Sequence, residues 1–306
     1  MFREMDQLIQ SYQSIAIYTH VLPDMDALGS QCGLKLLLQE RYPTKDIYAL
    51  GDINDVPIPF PIDEEASVPL ASTLAIVLDT SNVERVSNQS FLRCDKILKI
   101  DHHIDYTPYG DVSYIDTSTI STCSIITSMA RELGYTFTKD IANFLLFGLI
   151  TDSGRFRFPN TRAEDFEHAA FLLNHGADLQ FIYDQFYVKP LKKKAVDVYA
   201  HNNFKVEHNV AYVKTTPADA MHLKADLMYI KSGAINVLQD IQGVDAWATF
   251  TQLTESDPIY VELRGRIPVI EVAVRHGGGG HALACGCKVT SWDEVDQIIA
   301  ELHELV

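Results

Sequence analysis

Three short apolar runs in the first half of the chain each end on a side chain that can hold a metal ion. IAIYTH at 15–20 ends on His20, LAIVLD at 74–79 on Asp79, and KILKID at 96–101 on Asp101, with His102 and His103 directly behind it. Asp24 and Asp26 follow shortly after His20, and Asp152 closes a later apolar stretch. Singly these are weak signals, because an aspartate after a strand is commonly a turn or helix cap, and a lone histidine a satisfied core or surface group. Their joint placement carries the weight. Hard carboxylates with a few imidazoles and no thiolate suit Mn²⁺, or Mg²⁺, better than a structural zinc site. Two such ions about 3.5–4 Å apart would activate a water and neutralise the oxygens of an in-line phosphoryl displacement.

The elements that must position these residues follow from periodicity. β-rich runs alternate with amphipathic helical stretches, which is the pattern of an α/β unit with a mostly parallel sheet and helices on both faces. In such a sheet ligands bind beyond the carboxyl ends of the strands, so His20, Asp79 and Asp101 should meet at one edge. Helices are expected over 28–42, 119–133, 140–151 and 162–175, with Gly154 and Gly176 just past the last two. The proline- and acid-rich stretch 52–69 reads as a surface loop. Near Val188 the composition changes: Lys189, Pro190 and the lysines at 192–194 open a connecting helix that runs to about Asn203. The chain thus divides into a larger unit at 1–187, a linker helix at 188–203 and a smaller α/β unit at 204–306. Within the last, 204–207 and 210–214 flank His208-Asn209 as a hairpin, 247–253 and 259–264 form a second strand pair, and 292–305 is a closing helix.

Composition excludes several classes. With 306 residues, 47% hydrophobic and 22% charged, the chain can bury the cores of two domains. It has no run of about 20 apolar residues, and 1–10 lacks the apolar core of a secretory signal, so a cytoplasmic protein is expected and no membrane partner. Five scattered cysteines without a CxxC spacing argue against a disulfide framework or a thiolate zinc site, and Cys285 and Cys287 read as strand packing. A net charge of −16 repels a long polyanion, which disfavours long duplex nucleic acid. A small anion held by metal ions remains compatible, since bound cations invert the local field.

A second constellation lies near the end. Gly277, Gly278, Gly279 and Gly280 lack Cβ atoms, so their backbone N–H groups can form an anion-binding concavity, and His281 follows directly. A hinge or turn is the competing reading of four glycines. Arg155 and Arg157 read as a solvated surface pair, and the lysines at 192–194 as a solvated helix face.

HVLPDMDALGSQ at 20–31, LDTSNVER at 78–85, DHH at 101–103 and LITDSG at 149–154 together resemble, in order and spacing, the DHH phosphoesterase family. RHGGGGHALACG at 275–286 resembles the glycine-rich substrate motif of the DHHA1 domain found in one branch of it. Size and domain pairing are similar to the bifunctional nanoRNases, which degrade oligonucleotides of a few residues to mononucleotides and convert adenosine 3′,5′-bisphosphate (pAp) to AMP and phosphate. The resemblance implies that His20, Asp24 and Asp79 hold one Mn²⁺, and that Asp26, His102, Asp152 and the shared Asp79 hold a second. It implies that His103 meets the substrate phosphate and that Asp101 orients the neighbouring imidazoles. Arg264 stands where relatives grip a terminal phosphate, with the glycine run and His281 completing the clamp. The implied active site lies in the cleft between the domains, with their opening and closing as a gate. Met25 departs from the small residue common between the two aspartates; it alters the pocket wall rather than the ligand set.

Three other readings share parts of this pattern. A phosphodiesterase for pApA, the linear product of cyclic di-AMP, needs the same metals and clamp, so the sequence does not separate it from a nanoRNase. A family II inorganic pyrophosphatase shares the first four motifs, but this chain has no Ser-Arg-Lys substrate motif. A catalytically inactive nucleotide-binding regulator is disfavoured because every ligand position keeps a ligand-competent residue. Oligomeric state is left open, a homodimer included.

Overall fold

The apolar runs that end on metal-capable residues are neighbouring strands of one sheet. In the computed structural model, residues 2–53, 60–105, 107–188, 190–223, 229–230 and 234–306 are described. The chain splits into two compact units, Met1–Tyr187 and Val188–Val306. In the first, β1 (Ser14–Tyr18), β2 (Asp46–Leu50), β3 (Thr73–Leu78), β4 (Lys96–Asp101) and β5 (Val112–Ile115) pair in the order β2-β1-β3-β4-β5, all parallel. Every residue of β1 and β3 is buried. This is why their sequences read as continuous apolar runs rather than alternating ones: a parallel sheet is covered on both faces.

Helices α1 (Phe2–Ser11), α2 (Met25–Arg41), α3 (Thr122–Glu132), α4 (Lys139–Asp152), α5 (Ala163–Asn174) and α6 (Leu179–Phe186) complete the unit. Ile15, Ile17, Leu74 and Ile76 of the sheet share one apolar cluster with Leu28, Leu34, Ile125 and Leu145 of the helices. The opposite face differs from the expected second helical layer. Ala16, Tyr18, Ala75 and Val77 pack there against Val86 and Phe91, which short 3₁₀ turns at Val83–Arg85 and Gln89–Arg93 present. Two helices also start at other points than periodicity suggests, because caps decide the first turn. Asp24 caps α2 by accepting N–H bonds from Asp26 and Ala27, and Ser121 caps α3 by accepting from Ser124 N–H. Of the loop expected over 52–69, residues 54–59 lie outside the described residues. Phe60 is not on the surface but buried, its ring centroid 5.2 Å from that of Phe144.

α2 and α4 cross at backbone distance. A Cβ on Gly29 would lie 2.4 Å from the carbonyl oxygen of Phe144, and one on Gly33 2.8 Å from the Leu145 side chain. The α2 sequence LGSQCGLK therefore presents a small-residue stripe to its neighbour, and this close crossing fixes where the N-terminus of α2 lies relative to the C-terminus of α4.

In the second unit α7 (Leu191–Asn203) leads into β6 (Lys205–Glu207) and β7 (Val210–Thr215). These two strands form a hairpin whose His208 and Asn209 both take positive φ, +46° and +60°, as a two-residue turn with the right twist requires. Lys189 lies outside the described residues. α8 (Pro217–Leu223), β8 (Ala246–Thr251), β9 (Ile259–Gly265), β10 (Gly279–His281) and β11 (Ala284–Val289) follow. The sheet order is β10-β11-β9-β8-β7-β6, antiparallel except for the β7–β8 pair. The helices Ile270–Arg275 and Trp292–Leu305 cover one face through Val272, Val295, Ile298 and Leu302, while α7 packs Val196 and Ala200 with Ala211, Val213 and Trp247 on the other. Among the described residues no helix is long and apolar enough to cross a membrane.

The α2–α4 crossing can be tested directly. Gly29→Ala inserts a methyl group against a backbone carbonyl that cannot rotate away, so chemical denaturation should show a loss of about 1–3 kcal/mol. Unchanged stability would mean that the two helices do not meet there.

Candidate metal centre and phosphate pocket

Asp79 is the first residue past β3, and its backbone turns left-handed at φ +53°. Such a conformation costs about 1–3 kcal/mol for most residues, and aspartate is among the side chains that tolerate it best. The turn directs a buried carboxylate among three imidazoles. Its Oδ2 lies 3.5 Å from His20 Nε2, and its Oδ1 lies 3.4 Å from both His102 Nε2 and His103 Nδ1. The Thr122 hydroxyl donates to the same Oδ1 at 3.1 Å.

The other groups reach this point from separate elements. His20 stands two residues past β1, tied by a bridge to Val86. Its Nδ1 lies 2.9 Å from the Val21 carbonyl, so the proton belongs on Nδ1 and Nε2 is the atom offered to the cluster. Asp24 and Asp26 sit at the start of α2. Asp26 is fully buried and accepts the backbone N–H groups of Thr122 at 2.6 Å and Cys123 at 2.9 Å, which places its charge at the positive end of α3. Asp152 is the last residue of α4, its Oδ2 3.4 Å from His102 Nε2. Three sets of ligand-capable atoms, each within 4.8 Å of one another, result: His20, Asp24 and Asp79; Asp26, His102 and Asp152; and Asp79, His102 and His103. Asp101, at the end of β4, stands behind them. Its Oδ1 accepts from both the backbone N–H and Nδ1 of His103, at 3.0 and 2.9 Å.

The electrostatics suit a cation. Burial, reinforced by the neighbouring Asp79, pushes Asp26 up to about 7, and burial with Asp26 and Asp79 pushes Asp152 well up. Asp79 moves the other way: burial opposes its charge, but His102 and His20 beside it hold the carboxyl well below the usual range. Burial also opposes a charged His102 ring, yet the adjacent Asp79 and Asp26 carboxylates raise it to about 10. His102 Nε2 is buried, lies 3.4–3.9 Å from oxygens of Asp26, Asp79 and Asp152, and makes no hydrogen bond. Atoms so arranged converge without bonding to one another, and the carboxylate and imidazole donor set fits a divalent ion.

Three contributors were not singled out from sequence. Thr122 touches Asp79 with its hydroxyl and Asp26 with its N–H. Gly148 admits Asp26, since a Cβ there would lie 2.6 Å from Asp26 Oδ1 and 2.4 Å from Cys123 Sγ. Lys99, fully buried on β4, donates to the Ser81 carbonyl and to Asp105 Oδ1, both at 3.0 Å, and stands 3.9 Å from Asp101 Oδ2. The one available signal for Lys99 was a lysine at a position of KILKID where a buried strand demands an apolar residue.

In the second unit a cavity of about 720 Å³ is lined by Arg264 and all four glycines at 277–280. Arg264 rises from β9 and spends Nη1 on the carbonyls of Leu263 and Cys285, at 2.9 and 3.4 Å. The glycines do not share one role. Cβ atoms on Gly278 and Gly280 would lie 2.1 Å from the Gly286 oxygen and 2.7 Å from the Ala284 oxygen, so these two let β10 close onto β11. Gly277 needs its positive φ of +73°, and only a Cβ on Gly277 or Gly279 would meet open space. His281 pairs with Ala284 through its backbone, and its side chain lies outside the described residues. Cys285 and Cys287 face the apolar cluster under the sheet. Arg155 is exposed and stacks on Tyr187, its guanidinium 4.7 Å from the ring centroid.

Among known families, residues 14–149 match the DHH family N-terminal domain and residues 229–306 the DHHA1 domain. The chain belongs to the DHH family of phosphoesterases, enzymes that hydrolyse phosphate esters, in the branch that carries a DHHA1 domain. It is 34% identical over 310 residues to the bifunctional oligoribonuclease and PAP phosphatase NrnA of Bacillus subtilis (strain 168), an alignment that covers 100% of this chain and 98% of that protein. It is also 34% identical over 303 residues to a probable bifunctional oligoribonuclease and PAP phosphatase NrnA of Streptococcus mutans, covering 97% and 96%. The crystal structure of an exopolyphosphatase-related protein from Bacteroides fragilis shares the fold, with a TM-score of 0.86 at 21% identity over 99% of this chain and 96% of that one.

Binding of a divalent cation should be visible without any substrate. Mn²⁺ at about 100 times its dissociation constant stabilises a protein that binds it only when folded by about 2.7 kcal/mol. Thermal unfolding should therefore shift upward with Mn²⁺ and return with a chelator. Asp79→Asn keeps the left-handed turn accessible but removes the shared charge, and the shift should vanish; an equal shift in that variant would mean that the ion binds elsewhere.

Proposed function

We propose that this chain is a two-metal phosphoesterase that degrades very short oligonucleotides to mononucleotides and converts pAp to AMP and phosphate. The observation that carries the reading is that buried Asp79 groups with His20 and Asp24 and also lies 3.4 Å from His102, which groups with Asp26 and Asp152, in a chain that aligns end to end with relatives named for both activities. We assign His20, Asp24 and Asp79 to one ion, and Asp26, His102, Asp152 and Asp79 to the other. Mn²⁺ is the proposed ion, with Mg²⁺ the alternative of the same hard-donor class. Bound there, two such ions supply an activated water and neutralise charge on the phosphoryl oxygens.

The chain's own residues do the rest. His103 has its Nδ1 engaged by Asp101, which leaves Nε2 to meet a phosphate oxygen, and the Lys99 ammonium stands 3.9 Å behind Asp101 Oδ2. In the second unit Arg264, the glycine loop at 277–280 and His281 hold a phosphate of the substrate, Arg264 through the forked geometry that suits phosphate. A fixed phosphate restricts the enzyme to short substrates. The net charge of −16 favours small nucleotides over long duplexes for the same reason that it repels any extended polyanion. We place the activity in the cytoplasm, in keeping with five cysteines that are all free.

Release of phosphate and AMP from pAp, pApA and a five-nucleotide RNA tests this reading. With Mn²⁺ both pAp and the RNA should turn over; chelation or Asp79→Asn should lower kcat by at least about a thousandfold, as expected when a metal-assisted step is lost. Arg264→Lys should raise KM roughly tenfold with a smaller change in kcat, because one forked phosphate contact is removed. Turnover of pApA alone would make the enzyme a dinucleotide phosphodiesterase, and nucleotide binding without any turnover would make it a regulator.

A further inference from the structure

Glu262 precedes Arg264 by two residues on β9, so both side chains leave the same face of the sheet, about 6.6 Å apart along the strand. Both line the cavity that the glycines bound. On the neighbouring strands Glu262 is flanked by Thr249 of β8 and by Gly286 of β11, and Gly286 has no side chain to cover it. Arg264 does not neutralise this carboxylate through a hydrogen bond: its Nη2 is 3.9 Å from Glu262 Oε2, while Nη1 is used on main-chain carbonyls. Glu262 Oε2 and the Thr249 hydroxyl are both buried and have no hydrogen-bond partner. Burial pushes the Glu262 carboxyl up, with Arg264 pulling it down.

Two buried, unsatisfied polar groups side by side are unusual in a folded protein. A carboxylate next to an anion-gripping arginine is also a poor feature for phosphate alone, because it repels the charge that the arginine attracts. The partly exposed Glu262 carboxylate beside Arg264 has a use if the ligand carries hydrogen-bond donors a few ångströms from its phosphate. The sugar of a ribonucleotide does, and carboxylates are suited to ribose hydroxyls. Resting on the reading of this cavity as a phosphate clamp, we propose that Glu262 accepts a hydrogen bond from a ribose hydroxyl of the nucleotide whose phosphate Arg264 holds, and so selects ribonucleotides over deoxyribonucleotides.

Titration calorimetry of the full chain with Mn²⁺ tests this using AMP, 2′-deoxy-AMP, 3′-deoxy-AMP and inosine monophosphate, none of which needs to be turned over. The wild type should bind AMP roughly tenfold more tightly than 2′-deoxy-AMP, the size of one charge-assisted hydrogen bond, and a preference against 3′-deoxy-AMP alone would overturn the selection of ribonucleotides. Glu262→Leu should erase that preference, and Glu262→Gln, which keeps an uncharged acceptor and the side-chain volume, should leave part of it. Three further results overturn the proposal: no sugar preference in the wild type, equal weakening of AMP and deoxy-AMP in both variants, or a change in AMP against inosine monophosphate with the sugar preference intact. Arg264→Lys separates this from the clamp itself. If it leaves AMP affinity unchanged the clamp reading fails, whereas a general loss of affinity with the sugar preference kept in that variant supports both.

Discussion

The first unit is organised around a carboxylate that could not remain where it is without compensation. Asp79 is buried, its backbone is left-handed, and Asp26 and Asp152 stand close enough to push its own charge and theirs into conflict. Burying several like charges costs several kcal/mol each unless they are paired. In the described residues the compensation comes from His20, His102 and His103, and from the N-terminus of α3 against Asp26. The sheet register, the α2 and α3 caps and the α2–α4 crossing all hold these charges within reach of one another.

The surrounding structure shows how a phosphoesterase keeps such a site rigid. Each ligand-capable residue is at the end of a strand or at a helix terminus, where the backbone is fixed by regular hydrogen bonding on one side and free to turn on the other. Behind them lies a layer of supporting contacts: Asp101 on His103, Lys99 beside Asp101, the Val21 carbonyl on His20 and Thr122 on Asp79. Such outer contacts fix tautomers and ring orientations, which sets which nitrogen faces the reaction. The second unit uses a different principle. There a mixed sheet and closely packed glycines leave one open face that carries a guanidinium and a carboxylate two residues apart.

The sequence by itself determined the parallel strands, their order of motifs and the metal-capable residues at their ends, because a strand covered on both faces must be apolar and its first polar residue must mark the edge. It also marked the hairpin at His208-Asn209 and the closing helix. Tertiary structure decided the rest for physical reasons that no local pattern carries. Short apolar turns, not α-helices, cover the second face of the first sheet, since two 3₁₀ segments that present Val86 and Phe91 bury it as well. Lys99 is tolerated in a buried strand because the Ser81 carbonyl from beyond β3 and the Asp105 carboxylate from beyond the end of β4 both come to its ammonium. Gly148 and Thr122 matter only where α4 and α3 meet α2. The glycine run named a phosphate loop in sequence, but that Gly278 and Gly280 serve strand packing while Gly277 and Gly279 face open space depends on β11 lying beneath them, a contact between residues that only the fold brings together.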